Sequence, residues 1–375
     1  MAAPTSPAPT PSVVVLGGGA LGVSTATHLR RAGAQVVLVT DEGLASGASG
    51  RSLSWLNSAG ARPDAYHLLR LLGIDRYRTL FAADPDRGWL RFDGGLWWTD
   101  PGPDGADRTR ERHADEVAHG YDSHLVSRAD APAGVAPGPR DHLAVHDPGE
   151  GWVSLPHLVE ALAAEFTAAG GRLVTGAGRC SVLVEDGRAV GVTAPGGEEF
   201  RADAVVVACG PQTPAVVAEL GVHLPDASPL SMLVVTEPVD SAVRTVLNTP
   251  RAAVRPHPGG TLAADHDWYE ERIVETADGC TVDEDVVTGL LAETSALLAG
   301  NPPLRAASWR AGRKPVPADG DPVLGELAQV PGCHVVFTHS GATLALVVGE
   351  LIAHEVVTGT AHPLLAPFRP GRFGA

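Results

Sequence analysis

The sequence of 375 residues contains only four cysteines, Cys180, Cys209, Cys280 and Cys333, with no C-x-x-C pair among them. That excludes a disulfide framework and a thiolate metal site, and it fits free thiols in a reducing, cytoplasmic setting. Basic side chains are also scarce: 28 Lys and Arg against 44 Asp and Glu leave a formal net charge of −16. A chain this acidic is repelled by phosphate backbones and anionic lipid, which argues against nucleic acid or a membrane surface as partner. There is no run of 18 apolar residues, so no segment reads as inserted in a bilayer. The start lacks the basic and apolar regions of a signal peptide, and residues 1–11 read as a disordered Pro/Ala tail. His113, His119 and His124 have no metal-ligand spacing, and no metal is expected.

What is present is concentrated near the N-terminus. The stretch 13–41 reads V-V-V-L-G-G-G-A-L-G-V-S-T-A-T-H-L-R-R-A-G-A-Q-V-V-L-V-T-D. An apolar strand, a helical segment ending at Gly33 and a second apolar strand (36–39) form a βαβ unit, with Gly17, Gly19 and Gly22 in G-x-G-x-x-G register. The glycines serve a tight turn, close backbone approach to a pyrophosphate, and close helix–strand packing. The pyrophosphate would sit on the free N–H groups that open the helix, at Ala20 and Leu21. The ribose-binding carboxylate expected about twenty residues later is replaced in register by Thr40, with Asp41 one position on. No basic residue adjoins it to hold a 2′-phosphate, so NADP is disfavoured.

The next segment, 43–60, is G-L-A-S-G-A-S-G-R-S-L-S-W-L-N-S-A-G. Its backbone groups and Arg51 suit a cradle for phosphates or a polar ring edge, although a flexible loop has the same composition. Further on, 65–82 reads as a helix with Leu68, Leu72 and Leu80 on its apolar face, and 89–100 as strand, turn, strand. A second unit begins near Gly151: Ser154 can cap a helix whose buried stripe is Leu155, Leu158, Leu162 and Phe166. Asp186-Gly187 signals a hairpin. A buried strand at 204–208 ends at Gly210; Cys209 there reads as a small buried residue. Short strands at 230–237, 251–255 and 260–264 and a helix at 282–299 follow. His266 or Asp265 can face a site, or belong to an exposed turn. Finally 334–337 reads as a strand and 342–358 as a helix stopped by Gly359.

The glycine-rich unit followed by S-G-A-S-G-R-S resembles the D-amino-acid oxidase and glycine oxidase (DAO-type) superfamily of FAD-dependent oxidoreductases. So do R-K-P-V-P-A-D-G-D-P-V-L-G (313–325) and the strand–turn–helix built on H-S-G-A-T (339–343), so three separated motifs occur in the family's order. The resemblance implies a Rossmann-like FAD-binding domain, α/β in character, assembled from 12–62, 150–215 and 310–375. A second, mainly antiparallel-sheet domain of α+β type, from 63–149 and 216–309, would hold the substrate. It implies that Ser49, Gly50, Arg51 and Ser52 contact FAD, that Trp55 and Asn57 lie near the flavin ring, and that Gly210 approaches the cofactor. His339, Ser340, Gly341, Ala342 and Thr343 would line the flavin edge, where a helix N-terminus stabilises the charge gathered on reduction.

The implied reaction is oxidation of a C–N bond in an amine or amino acid, with hydride passing to flavin N5 and the imine then hydrolysed. The electrons would go on to O2 or a carrier, and the FAD is expected to be non-covalent. The family's substrate-binding Arg of the R-P motif is Lys314 here, preceded by Arg313; Lys is a point charge, not a fork. Either Lys314 holds a carboxylate in changed geometry, or the substrate has none. Only one of the two neighbours can point into the site. A NAD-dependent dehydrogenase accounts for the first motif alone, and a non-catalytic flavoprotein subunit remains compatible with three departures from the family's pattern: Thr40, Lys314 and Gln212, which stands where the resemblance implies a Trp two residues after Gly210.

Overall fold

A computed structural model describes residues 10–277 and 279–374. The expected N-terminal tail falls mostly outside these residues. At its end, the Pro11 carbonyl already accepts from Gln35 N.

Two sheets organise the molecule. The first has six strands in the order Val323–Glu326, Cys333–Phe337, Ala204–Val207, Ser12–Leu16, Gln35–Val39 and Arg172–Val174. Its strands run parallel except Val323–Glu326, which is antiparallel to its neighbour. Ser12–Leu16 is central, so both of its faces must be apolar, which is why the run V-V-V-L is unbroken. Val13 and Val15 meet a helical layer, while Val14 and Leu16 meet a three-stranded antiparallel sheet. The helical layer contains α1 (Ala20–Arg31), α2 (Asp64–Ala83), α4 (Leu155–Ala168) and α7 (Gly341–Thr358); the others are α3 (Pro103–Ala118), α5 (Thr213–Ala218) and α6 (Glu284–Ala296). The small sheet contains the hairpin expected at Asp186-Gly187, where both residues have positive φ, 49° and 78°. By length and composition α7 is apolar enough to cross a bilayer; here Leu344, Val347, Val348 and Ile352 are buried against α1 and α2.

The second sheet has eight strands: Ala306–Arg313, Leu230–Thr236, Thr261–Asp265, Ala253–His257, Val246–Asn248, Gly95–Trp97, Leu143–Asp147 and His124–Ser127. One face packs Met232, Val234, Val254, Leu247 and Trp98 against Val286 and Leu290 of α6. Residues directly opposite each other share a face, so the registers put the alternate set on the other side. That set runs from Lys314 and Gly312 through Ser231, Asp265, Ala253 and Asn248 to Trp97 and Asp147. It faces the six-stranded unit, because Arg255 in it donates from Nε to the carbonyl of Leu53.

The strand, turn, strand expected over 89–100 is present, with its strands 90–91 and 95–97 in different sheets: Gly94, at φ 82°, turns the chain out of a small sheet and into the eight-stranded one. Other sequence expectations are corrected. The apolar face of α2 is not the Leu68 side, since Leu68 is 46% exposed; Tyr66, Leu69, Arg70, Gly73, Ile74 and Tyr77 are buried instead. This packs α2 into the helical layer of the six-stranded sheet, although 63–83 reads in sequence as substrate domain. Conversely, Ala306–Arg313 lies wholly in the eight-stranded sheet, past the expected boundary at 310. Ser154 does stand at the start of α4, but its hydroxyl meets His157 Nδ1 at 2.8 Å and makes no backbone cap.

Candidate cofactor and active site

The glycine motif is required by packing. A side chain on Gly17, whose φ is 116°, would come within 2.2 Å of the Ala208 carbonyl, and one on Gly22 within 2.0 Å of the Gly17 carbonyl. Gly19 is different: a Cβ there would find only Ser49 Oγ within 4 Å, at 3.2 Å. The surface above Gly19 is therefore open. Gly19 stands before α1 with no side-chain cap, and the first turn carries no acidic residue. The N–H groups at this end keep their positive partial charge for an anion. Ser49 reaches the same end and accepts from Ala20 N at 2.9 Å. Gly210 follows Ala208 closely, at φ 57°, and so comes near this turn.

At the end of the second strand Thr40 is buried, its side chain 2.8 Å from where a Gly18 Cβ would be. It packs beneath the turn, while Asp41 is exposed. Arg51 closes the short helical turn Ala48–Arg51 beneath the eight-stranded sheet. Its guanidinium lies 2.5 Å from the position of a Gly312 Cβ and reaches the carbonyls of Ser46 and Arg313, each at 3.4 Å. Its Nε is buried with no partner, and burial with the nearby Arg310 holds its pKa below the usual value. Ser52 accepts from Ser54 N at 3.1 Å, a turn of its own loop. Gly50 sits against the carbonyl of Ala45 and the Arg310 guanidinium.

The C-terminal turn is brought against this loop. Thr343 Oγ1 donates to the carbonyl of Trp55 at 3.2 Å, and Ser340 Oγ meets Tyr66 Oη at 2.5 Å and accepts from Arg70. Arg70 is buried and holds Asn57 twice, at its carbonyl and at Oδ1, both at 2.8 Å. Gly341 and Ala342 begin α7, with Tyr77 Oη donating to the Ala342 carbonyl at 2.7 Å. His339 stands open to the cleft but is walled by protein. Desolvation, then Lys314, Arg70 and Arg62, push its pKa down to about 4, so the ring is neutral at pH 7.

Lys314 is the single lysine in the sequence. It extends from the sheet face that looks into the cleft, with Nζ 3.6 Å from Glu270 Oε1. Arg313 points the other way and is tied through Nε and Nη2 to Glu275, at 3.1 and 2.5 Å, on the outside. The structure thus brings Lys314 to the cleft and not Arg313, the alternation expected of neighbours on a strand. Asp265 shares the Lys314 face, and burial raises its pKa while Lys314 lowers it. His266 turns aside to the carbonyl of Thr249. Cys209 is inert, its thiol pushed up to about 12 by burial.

Sequence reasoning missed the supports beneath these groups. Arg70 and Tyr66 sit on one face of α2 at i, i+4, a signal hidden by reading its leucines as the buried stripe. A second missed group is a cluster of three buried carboxylates, Glu116, Asp147 and Glu150. Glu150 accepts from Trp55 Nε1 at 2.6 Å and from Tyr121 Oη at 2.7 Å. Both Asp147 oxygens lack partners, and burial with the adjacent Glu116 raises its pKa to about 7.

A dinucleotide-binding sheet facing a mainly antiparallel sheet across a cleft defines a flavoprotein-type oxidoreductase architecture. The family model for FAD-dependent oxidoreductases (DAO) matches residues 12–355, and the chain belongs to that family. Among solved structures it is similar to iminodiacetate oxidase from Chelativorans sp. BNC1, at 21% identity and TM-score 0.78, covering 96% of this chain and 98% of that one. It is likewise similar to glycine oxidase from Geobacillus kaustophilus, at 22% identity and TM-score 0.79, covering 97% and 99%. L-proline dehydrogenase from P. horikoshii matches at 17% identity and TM-score 0.81, over 97% and 98%. Comparison with curated protein sequences finds no match. The residues present fit FAD: the face at Gly19 is lined only by Ser49 Oγ, the first turn of α1 carries no acidic residue, and the buried Arg51 Nε has no protein partner.

Proposed function

We propose that the protein oxidises the C–N bond of a small amine or amino acid using non-covalently held FAD. The observation that carries this reading is the cleft itself: Lys314 and Asp265 face it from the eight-stranded sheet, and His339 stands at the α7 turn opposite. When bound, FAD supplies the acceptor for a hydride from the carbon alpha to the amine. Gly19, Ser49 and the N–H groups at the start of α1 that Ser49 leaves free would hold its pyrophosphate, on the turn that Gly17 and Gly22 allow, and residues 339–343 its ring edge.

The protein's own part is orientation, charge and exclusion of water. Lys314 attracts an anionic end of the substrate. Desolvation, and then the cations around His339, keep its imidazole neutral, and those cations disfavour an ammonium beside it, so the substrate amine binds as the free base. No protein base is then needed, and water hydrolyses the product imine. The electrons pass on to O2 or to a carrier.

The test is direct. Purified protein should carry the spectrum of oxidised flavin. That flavin should bleach anaerobically with at least one member of a panel of amino acids, N-methyl amino acids and simple amines. A flavin that no amine reduces would favour a binding or scaffolding subunit instead.

A further inference from the structure

The hairpin joining Ala253–His257 to Thr261–Asp265 borders a cavity of about 510 Å³ that takes no part in the cofactor and substrate sites described above. Its walls come from separate segments: Arg91 and Trp152, which pair on the small sheet, Arg244 on the loop before Val246–Asn248, and His257 at the hairpin. Val243 and Leu262 add an apolar side. Asp265 and the reaction cleft lie at the other end of these strands. Asp265 pairs with Ala253, and Thr261 with His257, so about 13 Å of strand separates the cavity from Asp265.

The walls present donors. Arg255 Nη1 lies 3.0 Å from His257 Nδ1, and a guanidinium only donates, so Nδ1 is the acceptor. Burial, and then Arg255 and His157, push the His257 pKa down to about 3, so at pH 7 the ring is neutral and its proton sits on Nε2. Among the described residues that N–H donates to nothing. The indole N–H of Trp152 is shielded from solvent and has no acceptor. Arg91 uses Nη1 on the carbonyls of Pro85, Arg87 and Leu90. Arg244 is exposed at the rim and, among the described residues, joins no hydrogen bond or ion pair.

Behind this wall Arg255 is a buried cation whose acceptors are all neutral: the carbonyls of Leu53 and Pro256 and the His257 ring. Its Cζ lies 5.1 Å from the centre of the Trp152 ring, and Asp265 acts on it from beyond ion-pair distance. Buried charge is ordinarily paired. Arg91, Arg244 and Arg255 thus stand against the one carboxylate on the lining, Asp93. A dianion balances that excess. A phosphate monoester carries nearly this charge at pH 7 and offers three oxygens to donors arriving from separate directions.

We propose that this cavity is a second ligand site, which binds a small phosphate monoester with its organic part against Trp152, Val243 and Leu262. Arg255 stands between this site and the cofactor loop, holding His257 on one side and the Leu53 carbonyl on the other.

Titration calorimetry on the flavin-loaded protein compares phenyl phosphate, phenylacetate and phenol. Wild type should bind phenyl phosphate about 10-fold more tightly than phenylacetate and give no heat with phenol. Arg244→Gln should weaken phenyl phosphate by about 10- to 100-fold, the scale of a hydrogen bond to a charged group, and Arg244→Lys should recover part of the loss. Trp152→Phe keeps a ring but removes the N–H, and should weaken it by about 5-fold. Because Arg244 is exposed, its variants should melt as wild type does, which separates a lost site from a lost fold. Lys314→Ala, altered in the reaction cleft, should bind phenyl phosphate as wild type does. No binding of phenyl phosphate to wild type, equal affinity in wild type and Arg244→Gln, or tighter binding of phenylacetate overturns the proposal. So does a loss in Lys314→Ala that Arg244→Gln does not share, since the anion would then sit in the cleft.

Discussion

The guanidinium of Arg70, on α2, donates to the hydroxyl of Ser340 at the start of α7, and the same hydroxyl meets Tyr66 Oη. One small side chain thereby fixes the turn at the mouth of α7 to a helix that begins more than 270 residues earlier. Through Arg70 the link continues to Asn57, so the loop and the turn packed against it share one support. Ser340→Ala leaves a buried guanidinium and a phenol short of their common partner. Such a loss costs about 1–3 kcal/mol. The denaturation midpoint should fall accordingly in urea; an unchanged midpoint would remove the network from the account of stability.

Gly19→Asp tests the anion site apart from the fold. A Cβ there meets only the Ser49 hydroxyl, at 3.2 Å, which has to shift slightly, and a carboxylate would stand before the N-terminus of α1. FAD affinity should drop by two orders of magnitude or more. The apoprotein's circular dichroism and melting temperature should stay close to wild type. Full flavin occupancy in the variant would show that the pyrophosphate does not bind at this turn.

Asp147→Asn should change the pH dependence of stability. With its folded pKa at about 7, Asp147 keeps a proton that the unfolded chain loses near 3.8. Its contribution is therefore complete below pH 4 and is lost as pH rises through 7. His257 and His339, pushed down to about 3 and about 4, act in the opposite sense: stability tied to them grows as pH rises toward 6.5. Comparing the variant with wild type cancels the histidines. Asn should match wild type at pH 4 and exceed it at pH 8 by on the order of 4 kcal/mol. Parallel stability curves across that range would mean that Asp147 is ionised in the fold.

His339→Asn bears on acid–base roles. An imidazole already neutral above about pH 4 contributes no ionisation near its ordinary value of 6.5. The acidic limb of kcat/KM should therefore survive in the variant, because it belongs to the substrate ammonium. A limb between pH 6 and 7 that vanishes with the imidazole would make His339 a titrating catalytic group.

Lys314→Ala should raise KM for a carboxylated substrate far more than for its decarboxylated analogue, with kcat less affected. Steady-state kinetics on such a pair decides it: equal effects on both would remove Lys314 from carboxylate binding.

The sequence alone determined the parts of the protein that depend on neighbours in the chain. An unbroken apolar run had to be a strand covered on both faces, and Ser12–Leu16 is the centre of its sheet. The spacing of Gly17, Gly19 and Gly22 follows from the contacts of one turn, and Asp186-Gly187 from one hairpin. Alternation along a strand foretold that only one of Arg313 and Lys314 enters the cleft, but not which, because that depends on the partner strand Leu230–Thr236. Tertiary structure alone decided that α2 presents Tyr66 and Arg70 inward, since a buried guanidinium is tolerable only where a distant Ser340 and Asn57 accept from it. It also decided that Asp147 and Glu150 lie buried together. Whether a charge is desolvated, and what lies opposite it, are properties of surfaces brought together from remote segments, and no local pattern of residues carries them.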